Sequence, residues 1–264
     1  MNDELIRSAG TQLAEAWLKA EPLNAFPAHL RAQTREQAIA VQDVMAEVIA
    51  QPVSAWKLGA TSPVMRERAG HDGAIIGRVF DSVTFYSPAQ LRASRFRHAR
   101  VECEFAFKVL APIHAKKDGW QEQDLLERVV LHSALEIIGN RYPHDPSAFK
   151  PNTNDEIADN GAGIGFVFGP PIKDWRDHDL SNLVIDIRVD GLAPAENFLG
   201  DGRCPPLHSL VQATQMLGLR GIDIEPGQYV STGAATDPQP VTATSKVVAD
   251  FGGLARIDTE FIDC

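Results

Sequence analysis

The stretch ARVECEFAFKVL, residues 99–110, limits the possible fold more than any other part of the sequence. Apolar side chains occupy its odd positions from 101 to 109, and this alternation predicts a β-strand with successive side chains on opposite faces. Glu102 and Glu104 then share one face, about 7 Å apart at roughly 3.3 Å per residue. Two like charges at this spacing repel each other, so the pair is either a solvated strand face or part of a site.

The remaining pattern predicts an α+β fold with a mainly antiparallel sheet, because strand signals are many, helices are few and no βαβ rhythm appears. A hairpin is predicted around Gly252-Gly253. Thr34 and Gln37 form a capping-box signal at the start of the second helix. Pro52 divides a helical segment, 1–52, from a catalytic segment, 53–264. Helices are predicted over 3–20, 34–50, 62–70, 122–134 and 205–219.

Charge and cysteine usage narrow the class of protein. A net charge of -10 has the wrong sign for a surface that follows nucleic acid phosphates. The three cysteines, Cys103, Cys204 and Cys264, are odd in number and contain no C-x-x-C, which favours a reducing compartment. No signal-peptide pattern and no long apolar run appear. We therefore expect a cytoplasmic protein that binds neither nucleic acid nor membrane.

A third acid, Glu136, lies in the apolar stretch SALEIIGN. A lone carboxylate is costly to bury unless it is paired or bound to a cation. If Glu136 met Glu102 and Glu104, the three carboxylates would raise one another's pKa values unless a divalent ion neutralised them. Oxygen ligands of this kind suit Mg²⁺ first and Mn²⁺ second. The sequence thus contains a candidate metal site, with a solvated face as the alternative for the first two acids.

Lysines and small polar residues form the next group of candidates. Lys57, in the apolar strand SAWKLGAT, either extends its ammonium to solvent or serves a site. Lys150 lies in a long polar loop, and loops of that length are frequently functional. The stretch STGAAT, residues 231–236, suits hydrogen bonds to a carboxylate or a plain turn. The stretch GAGIGFVFG precedes a strand and opens no helix, so it is not a nucleotide-binding motif. The sequence has no G-x-S-x-G elbow.

Taken together, the motifs resemble one family. In order they are WKLGATS, ARVECEFAF, ALEIIGNR, KPNTNDEIADN, STGAAT and ADFGGLARIDTEF. This order resembles 2-keto-4-pentenoate hydratases and 4-oxalocrotonate decarboxylases of the fumarylacetoacetate hydrolase superfamily. The resemblance runs from about residue 54 to the C-terminus. It implies a mixed, mainly antiparallel β-roll that follows an N-terminal helical segment.

The resemblance also implies roles for individual residues. The family's metal ligands correspond to Glu102, Glu104 and Glu136, and the metal is Mg²⁺ or Mn²⁺. Its two catalytic lysines correspond to Lys57 and Lys150. The implied substrate is a small 2-oxo or 2-hydroxy acid with a conjugated double bond. The implied assembly is a homo-oligomer, with a paired pathway enzyme as a further partner. The predicted substrate-binding residues are Leu58, Asn160, Ser231 and Thr232.

One position departs from the family pattern. Hydratases of the family carry an acid two positions before the glycine that corresponds to Gly77, and this sequence has Ile75 there. His71 and Asp72 either substitute for that acid or lie in an exposed turn. We predict a metal-dependent hydratase of 2-oxo alkenoic acids in aromatic catabolism. The alternatives are a decarboxylase of 2-oxo dicarboxylic acids, a C–C bond hydrolase and a non-catalytic ligand-binding paralogue.

Overall fold

The computed structural model describes residues 1–263, so Cys264 lies outside the described residues. Its helices are α1 (Asp3–Lys19), α2 (Arg35–Ile49), α3 (Pro63–Ala69), α4 (Glu122–Leu125), α5 (Thr153–Ala158) and α6 (Pro206–Gly218). Its strands are β1 (Val53–Gly59), β2 (Ile75–Phe80), β3 (Thr84–Tyr86), β4 (Ala89–Arg92), β5 (Arg100–Val109), β6 (Val129–Ile138), β7 (Gly163–Pro171), β8 (Asp186–Val189), β9 (Tyr229–Ala234), β10 (Gln239–Pro240), β11 (Lys246–Asp250) and β12 (Arg256–Ile262). Within residues 1–263, no helix is both long enough and apolar enough to cross a membrane.

Two sheets carry these strands. The larger has the order β2-β1-β9-β5-β6-β7-β3, with β10 paired to the first two residues of β5, and the smaller has the order β4-β12-β11-β8. Most neighbours are antiparallel, while β1–β9, β3–β7 and β4–β12 run parallel. The predicted hairpin is present as β11 and β12, and Gly252 and Gly253 occupy left-handed backbone conformations between them. The predicted α+β fold with a mainly antiparallel sheet is therefore confirmed.

The predicted strand at 99–110 is the centre of the larger sheet. As β5 it pairs with β6 over ten residues, from Arg100 opposite Ile138 to Val109 opposite Val129. The helix predicted over 122–134 is wrong, since α4 has four residues and β6 begins at Val129. The β-branched residues there gain a full ladder of hydrogen bonds from β5, and this tertiary pairing outweighs the local helical pattern.

The N-terminal helices pack on the same core as the strands. Thr34 caps α2 by accepting a hydrogen bond from the Gln37 backbone, as predicted. The Gln37 side chain reaches back one residue further than the cap and accepts from the Gln33 backbone N–H. Trp17 of α1 packs edge-on against Phe80 of β2, with ring centroids 5.1 Å apart. The boundary at residue 52 stays a prediction.

Candidate active site

Three glutamates meet on the inner face of the larger sheet. Glu102 of β5 stands opposite Glu136 of β6, and Glu104 follows two residues later on the same face. One carboxylate oxygen from each residue lies within 4.8 Å of the others. Glu104 and Glu136 are fully buried and Glu102 is 8% exposed. The solvated-face alternative does not describe these acids.

Lys57 of β1 completes the cluster. Two strands, β9 and β5, separate β1 from β6 in the sheet. The Lys57 Nζ atom is nevertheless 3.2 Å from Glu136 Oε1. Neighbouring strands lie about 4.8 Å apart, so only a curled sheet can bring these two groups together. The curl therefore encloses three carboxylates and one ammonium group.

The buried carboxylates have fewer hydrogen-bond donors around them than buried polar groups normally have. The Gly233 backbone N–H donates to Glu104 Oε2 at 3.0 Å. Glu104 Oε1 and Glu136 Oε2 have no hydrogen-bond partner within the described residues, and Glu136 Oε1 has only its ion pair with Lys57. Buried polar atoms are normally satisfied, and an unsatisfied group calls for a specific explanation. The oxygen-only donor set and these free acceptors fit a divalent cation such as Mg²⁺.

Burial raises the pKa values of all three glutamates. Burial raises the pKa of Glu102 to about 8, and the neighbouring charge of Glu136 adds to this. Burial also raises the pKa of Glu104 well above its usual value, with Glu136 and Glu102 reinforcing the shift. The pKa of Glu136 is raised by burial, against the opposing charge of Lys57. Burial and mutual repulsion thus disfavour full ionisation of the three carboxylates, and a divalent cation would offset both effects.

A pH dependence of metal-free stability follows from Glu102. When an acid has a higher pKa in the folded than in the unfolded protein, it does not affect stability at pH values below the unfolded-state pKa. As the pH rises from the unfolded-state pKa to the folded-state pKa, the free energy of unfolding falls. For Glu102 this window runs from 4.5 to about 8. We expect thermal unfolding in EDTA to show a smaller decline across this window for Glu102→Gln than for wild type. Identical declines in both proteins would contradict the shift.

Ser231, Thr232 and Leu58, all predicted to bind substrate, lie at the β1–β9 contact. The Leu58 backbone N–H donates to Ser231 Oγ at 3.2 Å. The Thr232 hydroxyl donates to the carbonyl of Phe105 at 3.0 Å. Hydrogen bonding from Ser231 lowers the pKa of Glu104, against the larger effect of burial. Ser231 therefore adjoins the acid cluster, and the hydroxyl of Thr232 is engaged within the sheet.

Asn160 and Lys150 lie in different surroundings. Asn160 is buried, and its side-chain amide bonds the backbone N–H and carbonyl of Arg78 at 2.7 and 2.6 Å. Lys150 is exposed, and its ammonium makes no hydrogen bond or ion pair within residues 1–263. The Lys150 carbonyl accepts a hydrogen bond from Arg31 at 3.1 Å. The structure brings Lys57 to the acids and leaves Lys150 at the surface.

Ile75 shares a face with Lys57. It pairs with Gly59 two positions along from the Lys57–Gly77 pair, so its side chain lies on the Lys57 side of β2. Ile75 is buried. A methyl group added at Gly161 would meet Lys57 Cδ at 3.2 Å and Ile75 Cγ2 at 3.3 Å. An apolar side chain thus stands next to the lysine, at the position where the resemblance implies an acid.

The two residues considered as substitutes for that acid have other partners. His71 Nδ1 is 2.9 Å from Thr153 Oγ1, and His71 Nε2 is 3.1 Å from Glu156 Oε2. Asp72 is exposed and pairs with Arg35 at 3.1 Å. Both residues tie the segment before β2 to neighbouring helices.

Arg141 and Asp159 form a buried ion pair close to the cluster that the sequence pattern did not reveal. The Arg141 backbone N–H donates to Asp159 Oδ2 at 2.8 Å. Its guanidinium donates to Asp159 and, at 3.3 Å, to the Gly163 carbonyl. In the sequence, Asp159 is one letter of the motif KPNTNDEIADN, and Arg141 is the last letter of ALEIIGNR. The apolar residues that precede Arg141 were the one sequence feature that could have indicated its burial.

Comparison with known proteins finds relatives over most of the chain. The sequence is 25% identical over 211 residues to the 4-oxalocrotonate decarboxylase of Pseudomonas sp. (strain CF600), covering 78% of this chain and 76% of the relative. It is 23% identical over 267 residues to the 2-keto-4-pentenoate hydratase of Paraburkholderia xenovorans (strain LB400), covering 99% and 96%. No family model matches the sequence. The resemblance inferred from the motifs is confirmed by these relatives.

Solved structures share the fold. The 4-oxalocrotonate decarboxylase of Pseudomonas putida G7, complexed with magnesium and adipate, superposes with a TM-score of 0.85 at 21% identity, covering 99% of both chains. The fumarylpyruvate hydrolase of Pseudomonas aeruginosa, in complex with Mn²⁺ and pyruvate, gives a TM-score of 0.55 at 15% identity, covering 81% of this chain and 91% of that one. The predicted β-roll with N-terminal helices is therefore confirmed.

Proposed function

We propose that the protein is a divalent-metal-dependent lyase of small 2-oxo acids in aromatic catabolism, with Glu102, Glu104 and Glu136 as the metal ligands. The observation that carries this proposal is the buried carboxylate cluster with free acceptor atoms and one adjacent ammonium. Mg²⁺ is the expected metal and Mn²⁺ the second choice. The magnesium in the structure of the Pseudomonas putida decarboxylase supports this choice.

Lys57 is the group in the cluster that can carry a proton to or from the substrate. When bound, the metal supplies Lewis-acid polarisation of the substrate's 2-oxo and carboxylate oxygens. Lys57 Nζ lies 3.2 Å from Glu136, where its charge balances the substrate carboxylate. Burial lowers the pKa of Lys57, but the charges of Glu136, Glu104 and Glu102 raise it further, so Nζ is protonated. It can therefore donate a proton to carbon as electrons arrive there.

Ile75 favours decarboxylation over hydration. Hydration needs a group that takes a proton from water near the substrate double bond, and the side chain next to Lys57 is apolar. Decarboxylation needs no such base. The C–C bond breaks between a carboxylate and the saturated carbon that carries it, next to a C=C bond conjugated with the 2-oxo group. CO₂ leaves, and the electron pair moves through that double bond to the 2-oxo oxygen. Lys57 then supplies the proton that completes the product.

The direct test uses purified protein and two assays: CO₂ release in the presence of Mg²⁺, and binding of Mg²⁺ and substrate. We expect CO₂ release from an unsaturated six-carbon 2-oxo dicarboxylate and none after EDTA treatment. Substrate and Mg²⁺ binding without turnover would favour the non-catalytic paralogue. Absence of Mg²⁺ binding would overturn the proposed metal site.

Hydration is the second candidate, because the hydratase of Paraburkholderia xenovorans matches 99% of this chain. Ketonisation of a dienol followed by addition of water would give a 4-hydroxy-2-oxo acid. The measurement is loss of dienol absorbance with 2-hydroxypenta-2,4-dienoate and Mg²⁺. A metal-dependent loss faster than CO₂ release would make hydration the main activity. Lys150, Asn160, Leu58, Ser231 and Thr232 remain proposed substrate contacts, and homo-oligomerisation remains an expectation.

The substitution Ile75→Asp should move the protein toward hydration. It places a carboxylate on the Lys57 face of β2, where a positioned base contributes about 10²- to 10⁴-fold in favourable cases. We expect dienol hydration to rise about tenfold or more, measured as initial rates with saturating Mg²⁺. Ile75→Asn is the matched control, since it is similar in size and polarity and cannot take up a proton. Equal rates for both variants would show that this position does not control the reaction.

A further inference from the structure

The turn that leads into β7 has an unusual backbone. Asn160, Gly161 and Ala162 have consecutive positive φ angles of 55°, 67° and 58°. Left-handed conformations cost non-glycine residues roughly 1 kcal/mol or more each, and such residues persist where surrounding contacts hold them. This left-handed turn is therefore maintained by its neighbours.

The left-handed turn is packed against Lys57. A methyl group added at Gly163 would lie 3.1 Å from Lys57 Cε and 3.0 Å from Glu136 Oε1. At Gly161 the equivalent distance to Lys57 Cδ is 3.2 Å. The glycine backbone thus forms one wall of the channel that holds the lysine stem. A shift of the backbone at Gly161 and Gly163 would therefore change the positions of the Lys57 ammonium and the Glu136 carboxylate.

Arg141 bonds both ends of the left-handed turn. Its guanidinium donates to the side chain and carbonyl of Asp159 before the turn, and to the carbonyl of Gly163 after it. The carbonyl of Ala162 also accepts from the Gly139 backbone N–H at 2.8 Å. A planar guanidinium has several donors in fixed directions, so it can fix the spacing of these acceptors in a way that a lysine cannot.

Stability alone is a weak explanation for this pair. Arg141 is 4% exposed and Asp159 is fully buried. Burying an ion pair costs desolvation energy that often equals or exceeds the Coulombic gain, so hydrophobic residues frequently serve stability as well. What the pair adds here is fixed geometry next to two groups of the proposed active site.

We propose that Arg141, acting through Asp159 and the carbonyl of Gly163, is a positioning residue that holds Lys57 and Glu136 in register for metal binding and proton transfer. This inference rests on the proposed function. It predicts that Arg141→Lys weakens Mg²⁺ binding by about 10- to 100-fold, the usual effect of losing a residue that orients a metal ligand. The lysine keeps the charge but cannot span the three acceptors.

The experiment measures Mg²⁺ affinity by calorimetry, without substrate, beside the melting temperature of the metal-free protein. Arg220→Lys is the matched control, because Arg220, which follows α6, forms a partly buried ion pair with Asp43 of α2 away from the acid cluster. We expect both variants to lose stability and only Arg141→Lys to lose Mg²⁺ affinity. In turnover assays Arg141→Lys should lower kcat even at saturating Mg²⁺, while Arg220→Lys leaves kcat unchanged.

Asp159→Asn is the second variant, of similar shape, for the case in which Arg141→Lys does not fold. It should weaken Mg²⁺ binding in the same direction. Wild-type affinity in a folded variant at either position would overturn the positioning role and leave the proposed function intact. A wild-type protein that binds no Mg²⁺ would overturn both.

Discussion

Glu104→Gln is expected to abolish Mg²⁺ binding while leaving the metal-free protein as stable as wild type or more stable. The substitution removes one of three charged ligands, and we expect affinity to fall at least about 1000-fold, which equals about 4 kcal/mol. It also removes a buried carboxylate whose ionisation is opposed by burial and by its two neighbours. The two effects have opposite signs because the same repulsion that destabilises the metal-free cluster attracts a cation.

The measurements are calorimetric titration with Mg²⁺ and thermal unfolding in EDTA and in excess Mg²⁺. Wild type should gain melting temperature with Mg²⁺, since a ligand that binds only the folded state stabilises it. Glu104→Gln should gain none. Glu127→Gln is the control, because Glu127 is almost fully exposed, and it should behave as wild type. Unchanged Mg²⁺ affinity in Glu104→Gln would show that the ligand set is wrong.

The candidate site was largely predictable because its acids obey a local rule. Alternation places Glu102 and Glu104 on one face whatever the fold, and an acid in an apolar run such as Glu136 needs a partner. The cross-strand position of Glu136 and the reach of Lys57 depend on register and on the curl of the sheet. Register and curl are tertiary properties that no local pattern shows. The resemblance to a family was the feature of the sequence that predicted the grouping of these residues.

Other parts of the fold depend on partners that no local pattern shows. The segment from Val129 has apolar residues that suit a helix as well as a strand, and pairing with β5 decides the outcome. Arg141 and Asp159 are ordinary polar residues until the fold buries them together. Asn160 is similar, since a turn residue before a glycine gives no sign that its amide will bind the backbone of Arg78.

Lys57→Met is expected to abolish turnover without abolishing Mg²⁺ binding. Lys57 is the ammonium next to the carboxylates, and the loss of a positioned proton donor lowers rates by about 10²- to 10⁴-fold. Removing its positive charge should strengthen Mg²⁺ binding, because the cation then meets three carboxylates with no competing charge. Without metal the variant should be less stable by about 3–5 kcal/mol, the usual cost of breaking one side of a buried ion pair.

Glu104→Gln and Lys57→Met should therefore change Mg²⁺ affinity in opposite directions while both remove activity. The stronger Mg²⁺ binding of Lys57→Met allows the metal site to be saturated, so that a catalytic role of the ammonium can be separated from a structural one. If Lys57 served only to neutralise Glu136, saturating Mg²⁺ would replace its charge and restore turnover in Lys57→Met. The decisive measurement is kcat at saturating Mg²⁺, with the exposed lysine variant Lys246→Met as control. Recovery of wild-type kcat under those conditions would remove Lys57 from the chemistry and leave the proton to another group.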